Sequence, residues 1–455
     1  MAPSLKSIDP EWAWSPFVPS AEQPWNRRLA AHLRRRSGFA GTSAELDADI
    51  AKSPSEAVAA ICTAVEPAEF RIDMAGLARP SLAGGDARKL PAWWLYRMLA
   101  TPVPFLERVT LFWHGHFATS AAKVTDPELM YRQNELLRRH ALGDFGQLVH
   151  DIARDPAMLL WLDSATNRRL HPNENFAREL MELFCLGEGQ YTEQDIRELA
   201  RCFAGWEVRR GNFRLNPEQQ DPGSKSILGS TGEFSGDDGV DLVLRQSAAP
   251  MFIVQKLVRD FVFDEPAASP ELLEPLARQF REQGLKTLPV IQRILSSNLF
   301  FSRHALARKV KSPVDVAVGF LRALSGTTNF VKLAQDLGEL GQDLFFPPNV
   351  KGWDGGRTWI NSSTLLGRAN LIKGLLDSGA TRFNGGSLRD FLTRQGTSDS
   401  QAIVHRLEEL LFAVPLPPAA RAQTVELIDR KTGDWEKHLR GALHLVCTLP
   451  EFQLA

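Results

Sequence analysis

Residues 173–187 read NENFARELMELFCLG, and they put Phe176, Leu180, Leu183 and Phe184 on one face of a helix that Gly187 is suited to end. A second helix starts behind Thr192, whose hydroxyl can cap it, and runs through Ile196, Leu199, Ala200 and Phe203 to Gly205. Two helices joined by so short a turn form a helical hairpin. Toward the N-terminus the same period recurs. Proline- or serine-headed helices are predicted over 24–36, 43–52, 54–65 and 91–99. Phe105, Val109, Phe112 and His116 then follow the i, i+4, i+7, i+11 spacing of a buried helix. Two more helices, over 126–140 and 144–154, are separated by Leu142-Gly143.

Beyond Trp206 the period changes to two. EVRRGNFRL alternates and turns at Gly211-Asn212, which predicts a short hairpin. Helices resume from Asp237 and are predicted over 248–263, 270–282, 287–297, 313–324 and 330–340. FFPPNVKGWDGGRTWINSS, residues 345–363, then breaks the pattern, and SGATRFNGGS, residues 378–387, reads as a surface connection. The expected fold is mainly α: a multi-helical array with one short β-hairpin near residues 206–216 and a Pro/Gly-rich aromatic loop near 345–363. An N-terminal extension over 1–22, a main helical domain over 23–376 and a C-terminal helical subdomain over 377–455 are the expected divisions.

Composition narrows the classes. The chain has 455 residues, and 53 basic against 54 acidic side chains leave a net charge of −1, so no global field draws it to nucleic acid or an anionic membrane. A charged ligand must be met locally. No apolar run of about 18 residues predicts a membrane span, and the first residues, MAPSLKSIDPEWAWSPFVPS, lack a signal-like apolar stretch. The expected compartment is cytoplasmic. Cys62, Cys185, Cys202 and Cys447 form no CxxC pair and are expected as reduced core residues.

Three groups of residues are candidates for chemistry, each beside a plainer reading. His114 and His116 in WHGHF have the types of a metal pair, for a divalent ion such as zinc or iron. Residues two apart on a helix point about 200° apart, so sharing a metal requires Gly115 to break the helix; the other reading is two packing histidines. Glu174, Arg178 and Glu182, with Asn175 and Glu179, form a polar stripe that reads either as a solvated face of internal ion pairs or as buried carboxylates able to hold a cation. Lys351, Arg357 and Asn361 surround a Gly-rich loop entering a helix, an arrangement that can hold an anion, or a loop that Trp353 and Trp359 close onto a core. Asp144-Phe145-Gly146 spells a kinase tripeptide without the rest of a kinase, and Asp144 is better placed as a helix cap. There is no GxSxG and no HExxH.

LFWHGHFATS, HPNENFARELMELFCLGEGQYTEQDIRELARCFAGW, PPNVKGWDGGRTWINSSTLLGRANL and the terminal LPEFQLA together resemble one bacterial family, the domain-of-unknown-function 1800 family, from about HLRRRSGFAG onward. The family carries no established activity. Its members often lie beside genes of a second family, numbered 1501 and similar to alkaline phosphatases and sulfatases, so the resemblance implies a partner of that kind. Relatives typically carry a His-Asp pair where this chain reads NPEQQDPGSKSILG, with Gln220 before Asp221. An amide does not exchange protons near neutral pH, which weakens any acid/base role there and leaves Asp221 and Lys225.

Two functions stay open on this reading. One is a hydrolase or group transferase with a polar cleft built from helices, where Glu182, Glu174, Arg178, Asp221 and Lys225 converge with the histidines and a metal or anion. The other is a non-enzymatic helical binding or assembly protein that docks the phosphatase- or sulfatase-like partner.

Overall fold

The computed structural model describes residues 8–397, 399–430 and 433–455. Helix starts follow local chemistry throughout. Asn26 accepts from the backbone amides of Arg28 and Leu29 to open α1 (Arg27–Gly38), and capping boxes such as Ser53 with Glu56 and Thr192 with Asp195 open others. Proline at the first helical position heads α3 (Pro104–His116) and α4 (Pro127–His140), and at the second it heads α2 (Leu90–Ala100). The described residues are 61% helical, with 24 α-helices and three two-stranded sheets, so the chain is mainly α.

The predicted hairpin forms as β1 (Trp206–Arg209) against β2 (Asn212–Leu215), antiparallel with Trp206 opposite Leu215. Two further pairs went unread in the sequence because they are only two or three residues long, too short to show alternation. They are β3 (Lys225–Ile227) with β4 (Ser230–Gly232), and β5 (Gly326–Thr327) with β6 (Arg382–Phe383). The segment 173–187 also differs from a uniform helix. It is α-helical as α5 (Asn175–Glu179) and widens into a π-helical turn over Leu180–Cys185, where Leu186 donates to the carbonyl of Met181 five residues back. α6 (Glu193–Cys202) returns antiparallel beside it and, with α7 (Ala248–Phe261), completes this layer.

Two hydrophobic cores share the chain. The first joins Phe105, Val109 and Trp113 of α3 to Phe176, Phe184, Leu257 and Phe261. The second joins α2 through Trp94 and Met98 to α8 (Pro313–Ala323), α9 (Ser362–Asp377) and α10 (Trp435–Cys447), so residues on both sides of position 377 pack into it. α1 and α3 belong to both. α1 gives Leu29 and Leu33 to one core and Ala30 and Ala31 to the other, while Leu111 of α3 faces the second. Arg36, fully buried on α1, donates to the carbonyls of Val262, Ala305 and Ala455 and so ties distant loops to this wall. The four cysteines are free and buried; burial pushes the Cys62 and Cys202 thiols up to about 12. No described helix is long and apolar enough to cross a membrane.

Candidate functional site

Where α3, the end of α7 and the loop after residue 345 meet, they leave a cleft of about 220 Å³ at the seam between the two cores. The loop reaches α3 because of two glycines. Gly352 has a φ of +76°, and a Cβ there would lie 2.3 Å from the carbonyl oxygen of Gly115. Gly115 has open space where its own Cβ would stand, and it lines the cleft.

The floor is a closed set of ion pairs. Arg108 of α3 donates to Asp315 at 2.6 Å and to Asp260 at 3.1 and 3.2 Å. Lys309 pairs with Asp264 at 3.2 Å, and Asp264 also accepts from the backbone amide of Val310 at 2.7 Å. Burial works against the Arg108 charge, but Asp260 and Asp315 hold its pKa above the ordinary value. Burial likewise raises Asp315, and Arg108 and Lys309 outweigh it to keep that carboxylate low. Asp315 is therefore ionised, and all three aspartates are already committed to partners on the floor.

One wall rests on the π-helical turn. The last carbonyls of a helix lack partners within it, and here two side chains supply them: His116 Nε2 donates to the carbonyl of Phe184 at 3.0 Å, and Lys256 Nζ donates to that of Leu183 at 3.0 Å. Lys256 Nζ also lies 3.1 Å from His116 Nδ1. These bonds assign the proton of His116 to Nε2 and leave Nδ1 as the acceptor. Burial, with Lys256 alongside, holds the His116 pKa well below its usual value, so the ring is neutral. Burial also pulls the Lys256 amine down to about 8. Lys256, Arg259 and Lys351 line the cleft and make no ion pair among the described residues. The three floor aspartates outnumber Arg108 and Lys309 by one and Asp354 adds a fourth carboxylate, so the lining as a whole, with five basic and four acidic side chains, carries a surplus of one positive charge.

The residues nominated from sequence are placed differently. His114 and His116 stay on one unbroken helix and serve different segments, so they are not brought together as a metal pair. His114 Nε2 accepts from the backbone amide of Phe345 at 3.1 Å, among the rings of Trp94, Phe345 and Trp353. Burial lowers its pKa to about 3. Among the described residues there is no group of three or more His, Cys, Asp or Glu arranged to hold a metal. Arg178 makes a two-bond fork to Glu193 at 2.8 Å and reaches Glu174 at 3.4 Å, while Glu182 accepts from the Tyr191 hydroxyl at 2.8 Å. The stripe is thus largely paired within its own hairpin. Its one tie to the cleft is Glu179, half-buried, which burial and the neighbouring Glu182 push up and Lys351 pulls down.

Asp221 is held by Arg201 of α6 at 2.7 and 3.1 Å, and buried Lys225 donates to the carbonyls of Asp221 and Gly223, so Asp221 ties its loop to α6 and Lys225 braces that loop from within. None of these bonds involves Glu182. Of the anion-binding trio only Lys351 lines the cleft. Arg357 is 82% exposed and pairs with Glu265, and Asn361 accepts from the amide of Thr364 as the cap of α9. Trp353 packs near His114 and Trp359 is buried, so the loop closes on its own body.

Arg108, Lys256, Asp260, Asp264, Lys309 and Asp315 went unnominated. Their trace in the sequence is faint: Arg108 stands two turns before His116 on one face, and Lys256 one turn before Asp260.

The model of a family described as a protein of unknown function (DUF1800) matches residues 32–454. No curated protein and no solved structure matches the chain.

Proposed function

The chain belongs to the DUF1800 family, and from that premise we propose that its cleft binds a small anionic substrate for an enzyme of the hydrolase or group-transferase type. The observation that carries this reading is the charge imbalance. Every floor aspartate is already satisfied, whereas Lys256, Arg259 and Lys351 face the same space unpaired. Arg259 and Lys351 are exposed at the mouth, where cations without a carboxylate partner can draw in an anion, and half-buried Lys256 stands behind them. The volume lies below the about 300–1,000 Å³ of drug-sized sites and suits a ligand of metabolite size. The neutral His116 beside the Lys256 amine supplies a proton acceptor next to a proton donor. The inward packing of Trp353 and Trp359 weighs against the alternative of a protein partner docked through those rings.

Thermal denaturation in the presence of inorganic phosphate, sulfate or a small dicarboxylate tests the reading. At one hundred times Kd such an anion adds about 2.7 kcal/mol to native stability, and the rise in Tm should disappear in a Lys256→Gln, Lys351→Gln double variant that melts normally without ligand. An anion effect that is unchanged in the double variant overturns the assignment.

Gly115→Ala separates stability from binding. The added methyl meets no atom within 4 Å, and alanine is favoured over glycine in a helix by up to about 1 kcal/mol. The expected result is a protein at least as stable as the parent, with weaker anion binding because the methyl occupies the cleft.

A further inference from the structure

We propose that Lys256 is a carbonyl-capturing amine, forming an imine with a small anionic aldehyde or α-oxo acid in the cleft. This rests on the anionic-ligand reading above and adds the reacting group. The geometry distinguishes Lys256 from an ordinary surface lysine. Its nitrogen has two hydrogen-bond acceptors, His116 Nδ1 at 3.1 Å and the Leu183 carbonyl at 3.0 Å, and no carboxylate partner among the described residues. The two N–H groups of a neutral amine are thereby satisfied, and its lone pair takes the remaining tetrahedral direction. An ammonium would have a third N–H, for which no third bonded acceptor stands among the described residues: the buried Cys185 thiol lies nearby, and the face of Phe252 at 4.5 Å attracts a cation weakly but accepts no proton. Burial favours the neutral form in the same direction. Desolvation in an apolar surrounding next to other cations is a known means of activating a lysine. Here the other cations, Arg259 and Lys351, also fit the negative charge of the substrate class.

The chemistry balances without a further reagent. The Lys256 lone pair attacks the carbonyl carbon, a C–N bond forms, and the oxygen takes a proton to give a carbinolamine. The two amine protons leave with that oxygen as water, and the nitrogen and carbon are left doubly bonded. His116, neutral with a bare Nδ1, is placed to take a proton from the nitrogen in transit. The imine so formed is neutral and has no N–H; when it takes up a proton from water in the cleft, that single N–H can be received by the Leu183 carbonyl or by His116 Nδ1.

The test is reductive trapping on the full chain. Glyoxylate, and in parallel the uncharged acetaldehyde, would be added with sodium cyanoborohydride near neutral pH, and modified peptides quantified by mass spectrometry. Lys256 should be alkylated by glyoxylate roughly ten-fold or more faster than exposed lysines, because more of it is neutral. Lys256→Arg, checked for an unchanged melt, should lose that fast phase and keep the slow one. If Lys256 reacts fast with both aldehydes and without preference for glyoxylate, the amine assignment stands and the anionic-ligand reading falls. If Lys256 reacts with both at the rate of exposed lysines, the imine proposal is overturned. A fast phase that persists in Lys256→Arg overturns it as well.

Discussion

Glu107→Ala is expected to destabilise the fold by about 3–5 kcal/mol, because it removes the one carboxylate shared by two buried guanidinium groups. Glu107 is completely buried on α3. It accepts from Arg97 at 2.7 Å, from Arg138 at 2.7 and 2.9 Å, and from the indole of Trp94 at 2.7 Å. Arg97 retains Glu66, and Arg138 retains Glu135 and Asn134, but the central charge would be gone from the junction of three helices. Chemical denaturation should show a lowered midpoint at unchanged slope. A loss below about 1 kcal/mol would mean that water or the remaining carboxylates reach the cluster. The pH dependence has a defined sign. Burial raises the Glu107 pKa, but Arg138 and Arg97 with the Trp94 hydrogen bond outweigh it and bring the carboxyl from 4.5 down to about 2. A carboxyl depressed in the native state contributes stability that is fully present above its unfolded value. That contribution is lost as pH falls from about 4.5 through about 2, so the parent should lose stability over this window more steeply than the alanine variant.

Gly352→Ala should be the most damaging single change to the cleft itself. The left-handed backbone costs a residue with a Cβ about 1–2 kcal/mol, and the methyl would meet the Gly115 carbonyl oxygen at 2.3 Å, where no rotamer offers escape. Overpacking adds about 1–3 kcal/mol, and the loop must lift from α3 to relieve it. Lys351 and Trp353 flank that position, so anion binding should be abolished while helix content persists. Intact binding in a folded Gly352→Ala variant would show that the loop is not a wall of the site.

The sequence reading succeeded where information is local and failed where it is not. Capping residues such as Thr192 and the Gly211 turn act on the next few residues, so the helical hairpin and the β1–β2 ribbon could be read directly. The aromatic loop was legible for the same reason: prolines and glycines forbid a helix there whatever surrounds them. The histidine pair looked like a metal site because residue type was visible and direction was not. Gly115 did not break α3, so the two imidazoles kept their divergence. The acidic stripe was read correctly as a candidate for internal pairing, but its partners Tyr191 and Glu193 lie in the turn of the hairpin and at the start of the returning helix α6. The cleft was illegible because its charges come from residues 108, 256, 259–264, 309–315, 351 and 354, which share no spacing. Their meeting is a property of how two cores are joined.

That joint has a mechanical consequence. Arg108 grips Asp260, beside the first core, with one nitrogen, and Asp315, at the head of the helix that anchors the second, with another. The guanidinium that floors the cleft is therefore also a rivet between two bodies of helices. Mild denaturant should loosen this joint before it melts the shared helices α1 and α3, so loss of anion binding should run ahead of loss of helix along the same titration, with the ligand itself acting as a second fastener.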